Sequence, residues 1–109
     1  MKGADLGEFE LYVLIALGAG PAHGYAIGKE LEQRSNGRLR PTTGALYQVL
    51  RRLAEAGLIR SVATPTEVDG RRKYFELSSA GRKAVATEAK RWDDLLAVAR
   101  QRKLYPSRA

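Results

Sequence analysis

Turn-forming residues cut the first 57 positions into three short segments, and this punctuation constrains the fold more than any other feature of the chain. Gly18-Ala19-Gly20-Pro21 closes one segment, Ser35-Asn36-Gly37 the next and Gly57 the third, so each segment has room for one short helix. From Leu6 to Leu17 nearly every residue is apolar, which predicts a helix buried on more than one face. His23 to Arg34 carries Ile27 and Leu31 four apart with charges between them, a short second helix. Pro41-Thr42-Thr43-Gly44 offers a threonine N-cap for a third helix running to about Ala56, where Gly57 suits the C-terminal end.

Leu58 to Thr64 is apolar and β-branched, Lys73 to Leu77 alternates, and Pro65 to Arg72 between them is rich in turn formers and charge. This spacing predicts a hairpin with a long basic tip. Ser78 or Ser79 then caps a final helix reaching about Leu104, before Pro106 and a basic tail. A short helix, a tight turn, a patterned helix and a basic hairpin together describe a winged helix-turn-helix. The expected fold is mainly α with a small β-hairpin: a winged-helix DNA-binding region over residues 1–77, and a C-terminal dimerisation helix and tail over 78–109, in one compact unit.

Size and composition remove most other classes. At 109 residues and 12.0 kDa there is room for one core. The chain has no cysteine and one histidine, His23, which excludes thiolate metal sites and histidine pairs; His23 is expected to stabilise a helix start. The longest apolar run, Leu11 to Leu17, is too short to span a membrane, and Met1 to Glu10 is acidic where a signal peptide needs a basic region. A cytoplasmic protein with no membrane partner is expected. Glu8 with Glu10, and Asp93 with Asp94, flank apolar positions and read as solvated charge. No serine sits in a nucleophile elbow, and Gly18-x-Gly20 is broken by Pro21, so neither an enzyme nor a cofactor is expected. The net charge of +7 suggests a polyanionic partner, although charge sign alone does not separate nucleic acid from an anionic surface.

In the third helix Leu46, Val49, Leu50 and Leu53 fall at i, i+3, i+4 and i+7, defining a core face. The opposite face then holds Gly44, Gln48, Arg51 and Glu55, with Tyr47 and Arg52 on the flanks. Such a face suits a DNA major groove: glycine lets the backbone approach, glutamine can pair with an adenine edge, and arginine can take phosphate or guanine. The hairpin tip adds Arg71, Arg72 and Lys73, with Arg60 on the opposing strand and Glu67 and Asp69 as partial offsets.

His23-Gly24-Tyr25, the segment Gly44-Ala45-Leu46-Tyr47-Gln48-Val49-Leu50-Arg51-Arg52-Leu53, then Gly57-Leu58-Ile59, and Gly70-Arg71-Arg72-Lys73-Tyr74-Phe75-Glu76-Leu77-Ser78 with Gly81 resemble the PadR family of bacterial transcriptional regulators, in its compact branch. The likeness runs from about Glu8 to Lys103. It implies a homodimeric winged-helix repressor, with the third helix and wing on DNA and the last helix pairing subunits. It also makes the Tyr47 hydroxyl a candidate phosphate contact; packing of the ring on the second helix is the other reading. Two positions depart from the family pattern. Gln48 stands where proline is common, and Ala54 where glutamate is common, so operator preference does not carry over from relatives.

Val85, Ala89, Trp92, Leu96 and Ala99 repeat at spacings of four, three, four and three, an a/d seam that lacks a partner within one small domain. With Leu11 and Leu14 of the first helix they are the expected dimer interface, giving two recognition helices the symmetry to read a pseudo-palindrome. Trp92 is either a packing anchor between subunits or one wall of a pocket for a small flat aromatic effector, since some PadR-like regulators are relieved by aromatic compounds. The expected contacts to double-stranded DNA are Arg38, Arg40, Thr42, Thr43, Gly44, Tyr47, Gln48, Arg51, Arg52, Arg71, Arg72 and Lys73. The rival readings are a winged-helix module for a protein or ligand without specific DNA readout, and a nonspecific nucleoid protein.

Overall fold

The computed structural model describes residues 6–63 and 73–106, and within them the order is α1 (Glu8–Leu17), β1 (Ala22–His23), α2 (Gly24–Arg34), α3 (Thr43–Glu55), β2 (Ile59–Val62), β3 (Tyr74–Leu77) and α4 (Ser79–Gln101). All four expected helices are present, and α4 is long. The wing strands belong to a three-stranded antiparallel sheet of order β1-β3-β2. Ala22 faces Phe75 and His23 faces Tyr74 on one side of β3, while Ile59 faces Leu77 and Arg60 faces Glu76 on the other. The two-residue β1 was not expected; it is too short for alternation to reveal.

The core gathers Val13, Leu14 and Leu17 of α1, Ile27 and Leu31 of α2, the α3 stripe Leu46, Val49, Leu50 and Leu53, and Ile59 and Phe75 of the sheet. Each large side chain enclosed there contributes about 1.5–3 kcal/mol through removal from water. The α3 stripe is the one its spacing predicts. Helix α1 buries Val13, Leu14, Ala16 and Leu17 but leaves Ile15 53% exposed, so one apolar edge of it stays outside the protomer.

Helix ends follow local chemistry. His23 caps α2 with Nδ1 accepting from the Ala26 amide (3.2 Å), Thr42 Oγ1 caps α3 by accepting from Ala45 (3.1 Å), and Ser78 Oγ caps α4 by accepting from Gly81 (3.0 Å). Helix α3 ends with Gly57 at φ 79°, where the Leu58 amide reaches the Leu53 carbonyl and the Gly57 amide reaches Ala54, the double bond pattern that closes a helix through a left-handed residue. Lys103, at φ 60°, closes α4 the same way, with Leu104 N donating to Ala99 O; this stops the helix at Gln101 rather than near Leu104.

The start of α4 is seated on the turn that ends α3. Ser78 Oγ donates to Gly57 O at 2.6 Å, and Ser78 N donates to Leu58 O at 3.0 Å. Gly81 completes the joint by its lack of a side chain, because a Cβ there would lie 2.1 Å from the Leu58 carbonyl oxygen. Alanine has the better helix propensity by about 1 kcal/mol. Gly81→Ala is nevertheless expected to destabilise the fold by about 1–3 kcal/mol, since helix and turn must separate. Equilibrium denaturation followed by circular dichroism checks this; unchanged or raised stability would contradict the joint.

Candidate nucleic-acid interface

Burial of the leucine stripe turns the other side of α3 outward. Gly44, Gln48, Arg51 and Glu55 are all exposed, and Gly44 has open space around it. Thr42 holds the helix N-terminus and Thr43 is exposed beside it. Tyr47 is half-buried, and its ring lies against the first residue of α2: a Cβ on Gly24 would meet the Tyr47 hydroxyl at 2.5 Å. Of the two readings of Tyr47, packing on α2 is thus observed, and the hydroxyl lies at that same contact.

That contact borders an open groove of about 320 Å³ between α2 and α3, where Tyr25, Lys29, Arg40, Thr43 and Tyr47 meet. Tyr25 is exposed, and the Lys29 ammonium sits 5.8 Å from its ring centroid. Neither residue was among the expected DNA contacts. Gly24 and Gly28, one turn apart on α2, line the same groove, and this spacing was the available signal in the sequence.

The cations differ in how free they are. Arg38 sits in the loop before α3, which is fastened by the buried Ser35: its carbonyl accepts from Arg38 N (3.2 Å) and its Oγ from Leu39 N (2.8 Å). The Arg38 guanidinium grips Glu8 through both terminal nitrogens, one at 3.2 Å. Hydrogen bonding to Arg38 holds the Glu8 carboxyl below its ordinary range against the opposing effect of desolvation, and the same bond pushes the Arg38 guanidinium up. Glu8 therefore stays ionised through neutral pH, and the pair loosens only as pH falls through the carboxylate range. Arg52 meets Glu10 at 3.0 Å, and Arg40 lies 3.6 Å from Glu32. Arg51 and Lys73 are exposed and have no such partner among the described residues. Arg60 is engaged across the ladder with Glu76 at 2.7 Å. Arg71, Arg72, Glu67 and Asp69 lie outside the described residues.

A second face, on α1 and α4, is apolar. Val85 packs against the core, Ala89 is exposed, and Leu96 and Ala99 are half-buried. Trp92 is 45% exposed and, with Leu11, Tyr12, Ile15 and Glu8, lines a groove of about 450 Å³ between the two helices. Leu14 points the other way and is fully enclosed in the protomer core, so its apolar surface is already used within one chain. Leu95, 61% exposed, and Val98 enlarge this face; they lie beside the strict a/d positions, which is why the seam pattern passed over them. Among the described residues no group of histidine, aspartate and glutamate could hold a metal ion, and no helix is long and apolar enough to cross a membrane.

These features find counterparts in known proteins. Residues 13–87 match the transcriptional regulator PadR-like family. Over 82 residues, 75% of this chain, it is 45% identical to an uncharacterized 37.1 kDa protein in transposon TN4556 of Streptomyces fradiae, of whose length the match covers 22%. The fold superposes on a PadR family transcription regulator from Clostridium difficile with a TM-score of 0.73, 25% identity, and coverage of 87% of this chain and 97% of that one. RosR of H. salinarum superposes with a TM-score of 0.65 and 29% identity over 92% of this chain and 80% of its own. A family match over most of the chain, a winged helix-turn-helix and an exposed polar face on its third helix converge: the chain belongs to the PadR-like family of transcriptional regulators.

Proposed function

We propose that the protein is a cytoplasmic, homodimeric transcriptional repressor that reads a pseudo-palindromic operator and is released by a small aromatic ligand. The outward face of α3 supports this most directly: Gly44, Gln48 and Arg51 are exposed while Leu46, Val49, Leu50 and Leu53 anchor the helix from behind. In this reading Gln48 pairs with a base edge, Arg51 and Arg52 meet bases or adjacent phosphates, and Thr42, Thr43 and Tyr47 fix the helix on the backbone. Arg38, Arg40, Arg71, Arg72 and Lys73 add phosphate contacts, joined by Tyr25 and Lys29 from the α2 groove. Residues 1–77 then form the DNA-binding part and 78–109 the subunit-pairing part.

A second copy of the chain is the occupant that best fits the apolar α1–α4 face. Ile15, Trp92, Leu95 and Val98 are large, exposed and set on the two helices, and two-fold pairing gives two α3 helices the symmetry of a pseudo-palindrome. The groove beside Trp92 receives the effector in this reading, its indole offering a flat apolar wall.

Fluorescence anisotropy with operator variants across a salt series separates the roles. Gln48→Ala relaxes preference at one base step by about 1–3 kcal/mol, whereas Arg72→Ala weakens all sequences alike and lowers the salt slope by about one. An unchanged base preference in Gln48→Ala removes α3 from the groove. Leu95→Glu, a charge on an already exposed position, converts the dimer to a folded monomer in sedimentation velocity; an unaltered dimer moves the subunit contact elsewhere. A stable dimer that retards no DNA at low salt supports instead a module for a protein or ligand partner.

A further inference from the structure

Exposed Glu55 lies on the outward face of α3 itself, whereas three other carboxylates are engaged by arginines near the ends of that helix. Arg38, Arg40 and Arg52 each meet a glutamate from a helix behind or beside α3: Glu8 and Glu10 from the first turn of α1, and Glu32 from α2. These are pairings between elements, with Glu8 and Arg38 separated by 30 positions and Glu10 and Arg52 by 42. A carboxylate that grips both terminal nitrogens of a guanidinium occupies the donors a phosphate would use. It also places a negative charge beside each of these arginines, which opposes the approach of DNA, itself negative.

We propose that Glu8, with Glu10 and Glu32, acts as an internal phosphate mimic that holds the arginines beside α3 and weakens binding to DNA of arbitrary sequence. The proposal rests on the DNA-binding reading above and adds its regulation. An arginine already neutralised releases no counterion until its carboxylate is displaced, so the paired arginines contribute little to the phosphate contacts common to every duplex. Arg51, without such a partner among the described residues, remains free to act. Glu8 also lines the α1–α4 groove with Trp92, so one carboxylate borders both that groove and the loop leading into α3.

The test is Glu8→Gln, alone and in an Arg38→Ala background, in the full chain. Binding to a duplex of random sequence is measured by anisotropy over a salt series, and circular dichroism confirms the fold of each variant. Glu8→Gln should tighten binding by about threefold or more at moderate salt and steepen the salt slope by about 0.9, the value for one more neutralised phosphate. The gain should vanish when Arg38 is absent. Equal tightening in both backgrounds means that lost negative charge alone is responsible, and unchanged or weaker binding means that Glu8 positions Arg38 for DNA; either result overturns the proposal. If the unaltered protein binds no duplex at all, the DNA-binding reading fails first, a result distinct from the other two.

Discussion

The turn at Gly57 and Leu58 is the joint on which the rest of the molecule depends. It ends α3, leads into β2 and receives the N-terminus of α4 through Ser78 and Gly81. Helix α3, the first strand of the hairpin and the long helix α4 meet there within a few hydrogen bonds. A left-handed residue is needed at Gly57, and no side chain fits at Gly81. Helices α3 and α4 are directly coupled, because both bond to the same two residues.

Away from this joint the molecule separates its surfaces by chemistry. One side offers amide, hydroxyl and guanidinium groups on α2, α3 and the loop between them; the other, on α1 and α4, offers leucine, isoleucine, valine and tryptophan. The net charge of +7 is therefore a poor guide to the local charge around α3, since Glu8, Glu10 and Glu32 stand beside three of the arginines that make up the excess. Helix α1 belongs to both sides. Its first turn supplies the carboxylates, and Leu11, Tyr12 and Ile15 face the α4 groove.

What the sequence reveals follows the range of the interaction. The α3 core stripe, its outward face and the glycine stop at position 57 are legible because each is set by spacing within one helix or by a single backbone preference. Lys103 is the counterexample: a left-handed lysine is not an expected stop, so α4 reads longer than it is. Strand β1 depends on hydrogen bonds to β3, about fifty positions away, and leaves no periodic trace in two residues. The glutamate–arginine pairs are equally invisible, because the sequence does not tell which acids of α1 and α2 come to rest beside which arginines. Leu14 and Leu11 look alike in sequence, yet one is enclosed by the core and the other half-exposed toward α4. Glu88, polar by type and almost buried in α4 beside Arg91, escapes a reading based on apolar pattern altogether.

The central claim is that the outward face of α3 reads DNA sequence in a two-fold symmetric assembly. Selection of binding sites from a random duplex pool by the purified protein, at moderate salt, tests it most directly. The account predicts enrichment of an inverted repeat whose half-sites are centred about one helical turn, or a multiple of it, apart. A folded protein that enriches no site, or only a single asymmetric one, would contradict it.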